Sequence, residues 1–552
     1  MFSALLRREL VTPLRRRRMI AFQIAIAALF TLLIAARWPT GGQVAVMGER
    51  SQQIFRLFTY GLMATMLLLL PVFPASSIVS EKISGTLGLL LNTPLGSVRI
   101  FIAKLLASLS LAGMILAMSL PAAGACYSMG GLSLYEEIGK VYLLLGLVAL
   151  LYTAVGLLIS SYSQSVDSSI RITYGFVLVT GILAMGPHYF FQGTVGSLAK
   201  YGEMLRCISP LAALATLTGA EDIGGQGLMT TTDVMGRFTV WALACSLVAS
   251  IWTTRRLNHK IFDRSRAAGT MSDDLSKSGQ LIRRLFFLVD PQKRSKQIPS
   301  FLNPVMVKEF RSRKFGRLHW LMRLVAVCAM LSLGLTYATT AGTFDWGVET
   351  IGGIMVVMQV ALIVLIAPSL SAILLSTERE RRAWQLLQTT PMSIPRIIIG
   401  KLFSAILPLI LLLGATMPGY LVMAYIEPGM SLQVQRVLIC LLLTAIFAMS
   451  CSAAVGVFFS RSAPAIACAY SVLLSICCLP LLVWMGRDAP FGHDVVESAL
   501  SFSSIAAAFS VIRMPGFDHY DLIPANWWFL GVGSVFSLLV LTGWTYKISR
   551  PQ

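Results

Sequence analysis

Apolar residues in this chain come in long blocks rather than in short alternating patches. A helix needs roughly 20 apolar residues to cross the hydrocarbon core, where only an internally hydrogen-bonded backbone is tolerated. Blocks of that length fall at 19–37, 56–79, 101–127, 139–162, 169–191 and 238–255. They recur at 320–341, 351–376, 399–426, 435–460, 463–486 and 526–546. The pattern predicts an all-α integral membrane protein with about 12 transmembrane helices, in two halves, 1–255 and 301–552. Between them, 256–300 is a basic linker with few large apolar residues, the composition of a partly disordered connection. Its Leu281–Val289 stretch reads as a short helix on the membrane surface.

Composition agrees with the pattern. Of the 552 residues, 56% are hydrophobic and 13% charged, against about 25% charged in a soluble domain. The mean hydropathy is +0.74. The formal net charge of +20 would raise nucleic acid as a partner in a soluble protein. Here the bases gather in loops on one side of the predicted spans. Residues 255–318 alone hold 16 Lys or Arg against 5 Asp or Glu. Cytoplasmic loops are enriched in this way, so the charge reads as topology and attraction to anionic membrane lipids, with no nucleic acid. Both termini are placed in the cytoplasm of a multi-pass protein of the cell (inner) membrane. The block after Arg15–Arg18 imitates a signal peptide but is long enough to span, so it is read as an uncleaved first helix. The nine cysteines fall mostly in apolar segments, with Cys207 in a loop, and suggest neither disulfides nor a metal site.

The strongest signal is an internal repeat. Residues 71–108 align without a gap to 368–405 at a constant offset of 297, with 12 of 38 positions identical. The shared residues include Pro71/Pro368, Glu81/Glu378, Thr93/Thr390, Pro94/Pro391, Arg99/Arg396 and Lys104/Lys401. A weaker match precedes each first span, where 3–18 and 303–317 place Glu9 opposite Glu309. Both copies mix apolar residues with bases, as amphipathic cytoplasmic helices do. Asn303 is set to cap the second copy, with Pro304 at its first helical position. Each half holds an even number of spans, so the two insert as parallel repeats.

The repeated segment is a cytoplasmic loop after the second span of each half. Its first part reads as one helix with Ile83, Leu87, Leu90 and Leu91 on a shared face. Glu81 is expected near the N-terminus of that helix, where the macrodipole favours an acid. Thr-Pro should end it. In the second copy Trp384 and Leu387 share a face, and Arg379, Arg381 and Arg382 add a basic surface. Such a helix either docks a cytoplasmic partner or only fixes the ends of two spans.

The stretches EKISGTLGLLLNTPLG and ERERRAWQLLQTTPMS, each running on to a Lys, resemble the cytoplasmic loop of type-2 ABC transporter permeases. The first copy keeps Gly85-Thr86-Leu87 but has Ala103 before Lys104; the second keeps Gly400 before Lys401 but has Arg382-Ala383-Trp384. The resemblance implies a transmembrane permease subunit of an ATP-driven transporter, an exporter by family likeness, with both six-helix halves in one chain. Two copies of a separate ABC ATPase would dock against loops 81–94 and 378–391. Glu81, Gly85, Thr86, Leu87, Thr93, Pro94 and Lys104 would form one coupling site, and Glu378, Arg382, Trp384, Thr390, Pro391 and Lys401 the other. It also implies short re-entrant helices between the fifth and sixth spans of each half. Ser209-Pro210-Leu211-Ala212-Ala213 and Ser503-Ser504-Ile505-Ala506-Ala507 are their candidate cores.

No G-x-x-x-x-G-K-[ST] loop occurs in the 552 residues. ATP and Mg are therefore expected only through a partner, with no cofactor bound directly and no catalytic or metal site here. The span interiors read as free of Asp, Glu, Lys and Arg, whereas ion-coupled carriers keep ionisable groups there. That weighs against the rival reading, an ion-coupled secondary transporter with a six-plus-six repeat, and favours an apolar or amphipathic cargo.

Overall fold

The structure, a computed structural model, describes residues 6–9, 49–190, 197–219, 233–257, 303–312, 348–426, 428–484, 492–514 and 516–549, with isolated positions near 24–31 and 326–334. Among the described residues the chain is helical, without a strand, and forms two compact units that divide in the linker region. Ten helices among the described residues are long and apolar enough to cross a membrane. They coincide with ten of the twelve expected spans. The other two, 19–37 and 320–341, lie largely outside the described residues, as does nearly all of the linker.

In the first unit the principal helices are α1 (Glu49–Leu69), α2 (Val72–Ile83), α3 (Thr86–Leu91), α4 (Ser97–Ser128), α5 (Lys140–Tyr162), α6 (Val166–Gly181), α7 (Ser197–Arg206), α8 (Pro210–Leu217) and α9 (Val234–Arg256). In the second they are α10 (Pro304–Ser312), α11 (Val348–Ser371), α12 (Ile373–Glu380), α13 (Trp384–Gln388), α14 (Ile394–Ile426), α15 (Ser431–Val457), α16 (Ser462–Trp484), α17 (Gly492–Leu500), α18 (Ser504–Ile512) and α19 (Ala525–Ser549).

Each unit is organised around its fourth span. Helix α5 packs against α2, α4, α6, α8 and α9, and α15 meets α11, α14, α16, α18 and α19. Their cores are Leu, Val and Ala with small polar residues such as Thr153, Ser160, Ser450 and Ser452, all fully buried. The last span of each unit lies at the edge. Val240, Leu243, Leu247 and Val248 of α9 and Val532, Val535, Phe536 and Leu539 of α19 are exposed apolar side chains, as a lipid-facing helix presents them.

The repeat extends well beyond the aligned 38 residues. The hydroxyl of Tyr174 donates to the Leu68 carbonyl, and that of Tyr470 to the Leu365 carbonyl. In both units this ties the fifth span to the second, just before the second span is interrupted. The expected re-entrant cores are matched pairs too. Ser209 Oγ donates to the Gly181 carbonyl at 2.6 Å and caps α8 through the Ala212 amide. Ser503 Oγ donates to the Cys477 carbonyl at 2.9 Å and caps α18 through the Ala506 amide. Helices α17 and α18 turn by 110° at their junction. A bend past a right angle sends the chain back instead of across. Cys207, expected in an open loop, is buried at the end of α7.

Candidate functional site: two buried charge quartets at the repeated loops

The second span does not stop at the membrane-crossing block. It continues as α2 and α12, whose last turns carry Glu81 and Glu378. This corrects the expectation that Glu81 begins a helix. An acid in a last turn is disfavoured by the macrodipole, so both carboxylates need positive partners, and they have them. Lys104 of α4 lies 3.0 Å from Glu81 with 1% of its side chain exposed. Lys401 of α14 lies 3.0 Å from Glu378 with 3% exposed.

A second pair joins each of these from the N-terminal amphipathic segment. In the second unit Glu309 of α10 accepts from Lys401 at 2.7 Å, and Lys308 donates to Glu378 at 3.0 Å. In the first, Glu9 lies 3.9 Å from Lys104, and Arg8 reaches Glu81 at 2.9 Å and Glu9 at 2.6 Å. Two quartets result, Arg8–Glu9–Glu81–Lys104 and Lys308–Glu309–Glu378–Lys401, each neutral overall. Three separate parts of the chain meet in each: the amphipathic segment, the end of the second span and the base of the third. A buried charge is tolerated only when it is paired and hydrogen-bonded.

Lys104 and Lys401 also correct the expectation of charge-free spans, because α4 and α14 begin before the predicted blocks and place both ammonium groups about two turns inside. Among the described residues, the charged side chains of the spans lie within about two turns of a helix end.

Beyond each glutamate the backbone breaks. Gly85 takes the left-handed conformation, φ 75°, before α3 begins. Arg382, its counterpart, does the same at φ 56°. The expected continuous helix is thus two helices, and Ile83 is exposed while Leu87 and Leu90 are buried. Leu87 packs with Ile78, Phe101 and Leu157. Trp384, in the equivalent position, packs with Leu374, Ile397 and Val457. A leucine and a tryptophan therefore fill equivalent positions, and the left-handed break and buried anchor persist without the Gly-Thr-Leu letters. Thr86 hydrogen-bonds Ser84 at 2.9 Å. Thr93 Oγ1 donates to the Leu90 carbonyl at 2.5 Å and Thr390 Oγ1 to the Leu387 carbonyl at 2.6 Å. Both close the loop helix before Pro94 and Pro391, which are exposed.

Close approach clamps the loop-bearing helix to the central one. A Cβ on Gly156 would lie 2.8 Å from the Pro74 ring, and one on Gly456 only 2.1 Å from the Ala372 carbonyl oxygen. In the first unit Ser160 Oγ accepts from the amides of Ile78 and Val79, and Ser169 Oγ donates to the Ala75 carbonyl at 2.6 Å. In the second unit Asn303 caps α10 through the Val305 amide, as expected, and its Nδ2 donates to the Arg396 carbonyl at 2.6 Å. A Cβ on Gly400 would strike that asparagine at 2.7 Å.

Residues 3–264, which include the whole of the first quartet and its loop, match the family model described as ABC-2 family transporter protein. That segment is similar to the ABC-2 family transporter proteins. The chain is a multi-pass membrane protein whose second unit repeats the quartet, the left-handed break and the capped outer helix of the matched segment. No curated protein matches the chain.

Sequence reading missed Arg8 and Lys308, although each stands beside an acid already paired by the repeat. Glu380, expected with Glu378 at the start of the loop helix, instead ends α12 and accepts from the amide and hydroxyl of Ser462, and the contacts of Arg379 with the Val457 and Phe459 carbonyls were not foreseen. The first unit has Lys82 and Ile83 at those positions, so no repeat signal marked them.

Proposed function

We propose that this chain is an ABC-2 permease, the membrane subunit of an ATP-driven exporter in the cell membrane, with both termini cytoplasmic. Two copies of a separate ABC ATPase dock on loops 81–94 and 378–391. ATP hydrolysis, with Mg, takes place on those subunits. The cargo is apolar or amphipathic, in keeping with spans whose charges stay near the helix ends.

The duplicated quartet is the observation that carries this reading. Force applied to the loop helix reaches three elements through it: the second span by covalent continuity, the third through Lys104 or Lys401, and the amphipathic segment through Glu9 or Glu309. A loop that merely linked two spans would need no buried charge cluster to tie it to a third element. The quartets are neutral and confined to one end of the spans, which favours a mechanical joint over the ion relay of a secondary carrier.

The double variant Glu81→Gln/Glu378→Gln tests the reading. It is expected to release the ATPase or uncouple its hydrolysis from transport while helix content is kept. Normal ATPase binding with normal transport would overturn the coupling assignment.

A further inference from the structure

The loop helices are bolted down on one side only. Leu87 and Trp384 are buried at 0% and 5% exposure, whereas Leu89 and Leu386 are 70% and 71% exposed. Two residues along a helix is a rotation of about 200°, so each exposed leucine stands opposite its unit's anchor. We propose that Leu89 and Leu386 are the two docking knobs of the permease, each seated in an apolar pocket with an acidic rim on an ATP-hydrolysing subunit. The inference rests on the proposed function and specifies its contact.

A single exposed leucine is ordinary on a protein surface, so recurrence carries the argument. Between α3 with its equivalent segment at 383–388, Thr86, Leu87, Gly88 and Leu91 are replaced by Ala383, Trp384, Gln385 and Gln388. Only the two central leucines are kept. Retention of Leu90 and Leu387 follows from packing against each unit's core. Among the described residues Leu89 and Leu386 belong to none of the apolar cores, yet both identity and exposure are retained.

The surroundings separate a protein pocket from a membrane. Ser84, Gly85, Thr86 and Asn92 are exposed around Leu89, with Ile83 the exposed apolar residue before the break, and Gln385, Gln388 and Thr389 are exposed around Leu386. One or two apolar side chains among polar groups make a poor lipid anchor, which needs a broad apolar face. Such an arrangement is well suited to a pocket, where a single side chain is fully desolvated. Arg99 and Arg396, also identical at the offset, are exposed where each loop returns to the bundle. Two arginines at the same place on both docking loops call for acids on the partner.

The test uses the full chain in native membranes. A photoreactive benzoylphenylalanine at position 89 or 386 is expected to crosslink to a polypeptide whose peptides include a phosphate-binding loop. In parallel, Leu89→Gln/Leu386→Gln should lower the amount of that subunit retained on purification by at least about tenfold, the loss of two buried leucines, with an unchanged permease elution profile. Full retention in that variant, or adducts with lipid alone, would overturn the knob assignment and leave the proposed function standing. Absence of any ATP-binding subunit from the wild-type preparation would instead overturn the function on which it rests.

Discussion

Arg382 holds the left-handed backbone conformation that its counterpart Gly85 adopts, at φ 56° against 75°. A residue with a Cβ is strained there by about 1–2 kcal/mol, and the arginine side chain is exposed. Arg382→Gly is therefore expected to raise the unfolding temperature of the purified protein by about 2 °C. Gly85→Ala, which meets no neighbouring atom within 4 Å, should lower it by a similar amount through backbone strain alone. A drop for Arg382→Gly would show that the arginine makes a compensating contact in the membrane.

The quartets predict a strongly non-additive response. Lys401→Met leaves Glu309 and Glu378 facing each other in a largely buried site. Removing one partner of a buried pair costs about 3–5 kcal/mol. Adding Glu309→Gln to Lys401→Met should recover a substantial part of that loss. Unfolding midpoints of the single and double variants measure the coupling, and simple addition of the two losses would contradict the geometry.

The two glycine clamps should differ in severity. In Gly456→Ala the new methyl meets a backbone carbonyl at 2.1 Å, while in Gly156→Ala it meets the edge of a proline ring at 2.8 Å. Neither neighbour is a flexible side chain, but the carbonyl belongs to the helix bearing the loop and can retreat only if α12 leaves α15. Expression and thermal stability should suffer in both, and more in Gly456→Ala.

The two loops are held differently. Arg379 and Glu380 fasten the second to residues 457–462, and Lys82 and Ile83 stand at the matching places in the first. Hydrogen exchange across 81–91 should be faster than across 378–388. Arg379→Ala/Glu380→Ala should speed exchange in the second loop without affecting the first. Equal exchange in the wild type would contradict this difference.

Much of this architecture is legible in the sequence, and the reasons for the exceptions are physical. Span length and apolarity are imposed by the bilayer, so α4, α5, α14 and α15 fall where the blocks predict. The repeat marks Glu81, Lys104 and their counterparts, and Asn303-Pro304 announces the start of α10. Partner identity was hidden, because Glu309 and Lys401 are distant in sequence and meet only once three elements have packed. The single helix drawn through Ile83 and Leu87 failed because apolar spacing continues across Gly85 although the backbone does not. Arg382 gave no sign of the same break, since no glycine marks the left-handed turn there.

The most direct test of the central claim is purification of the tagged full chain from its own cells in mild detergent, with quantification of any co-purifying subunit that carries a phosphate-binding loop. The account predicts such a subunit at about two copies per chain, lost or uncoupled in Glu81→Gln/Glu378→Gln. A preparation with no such subunit, together with transport that follows an ion gradient, would contradict it.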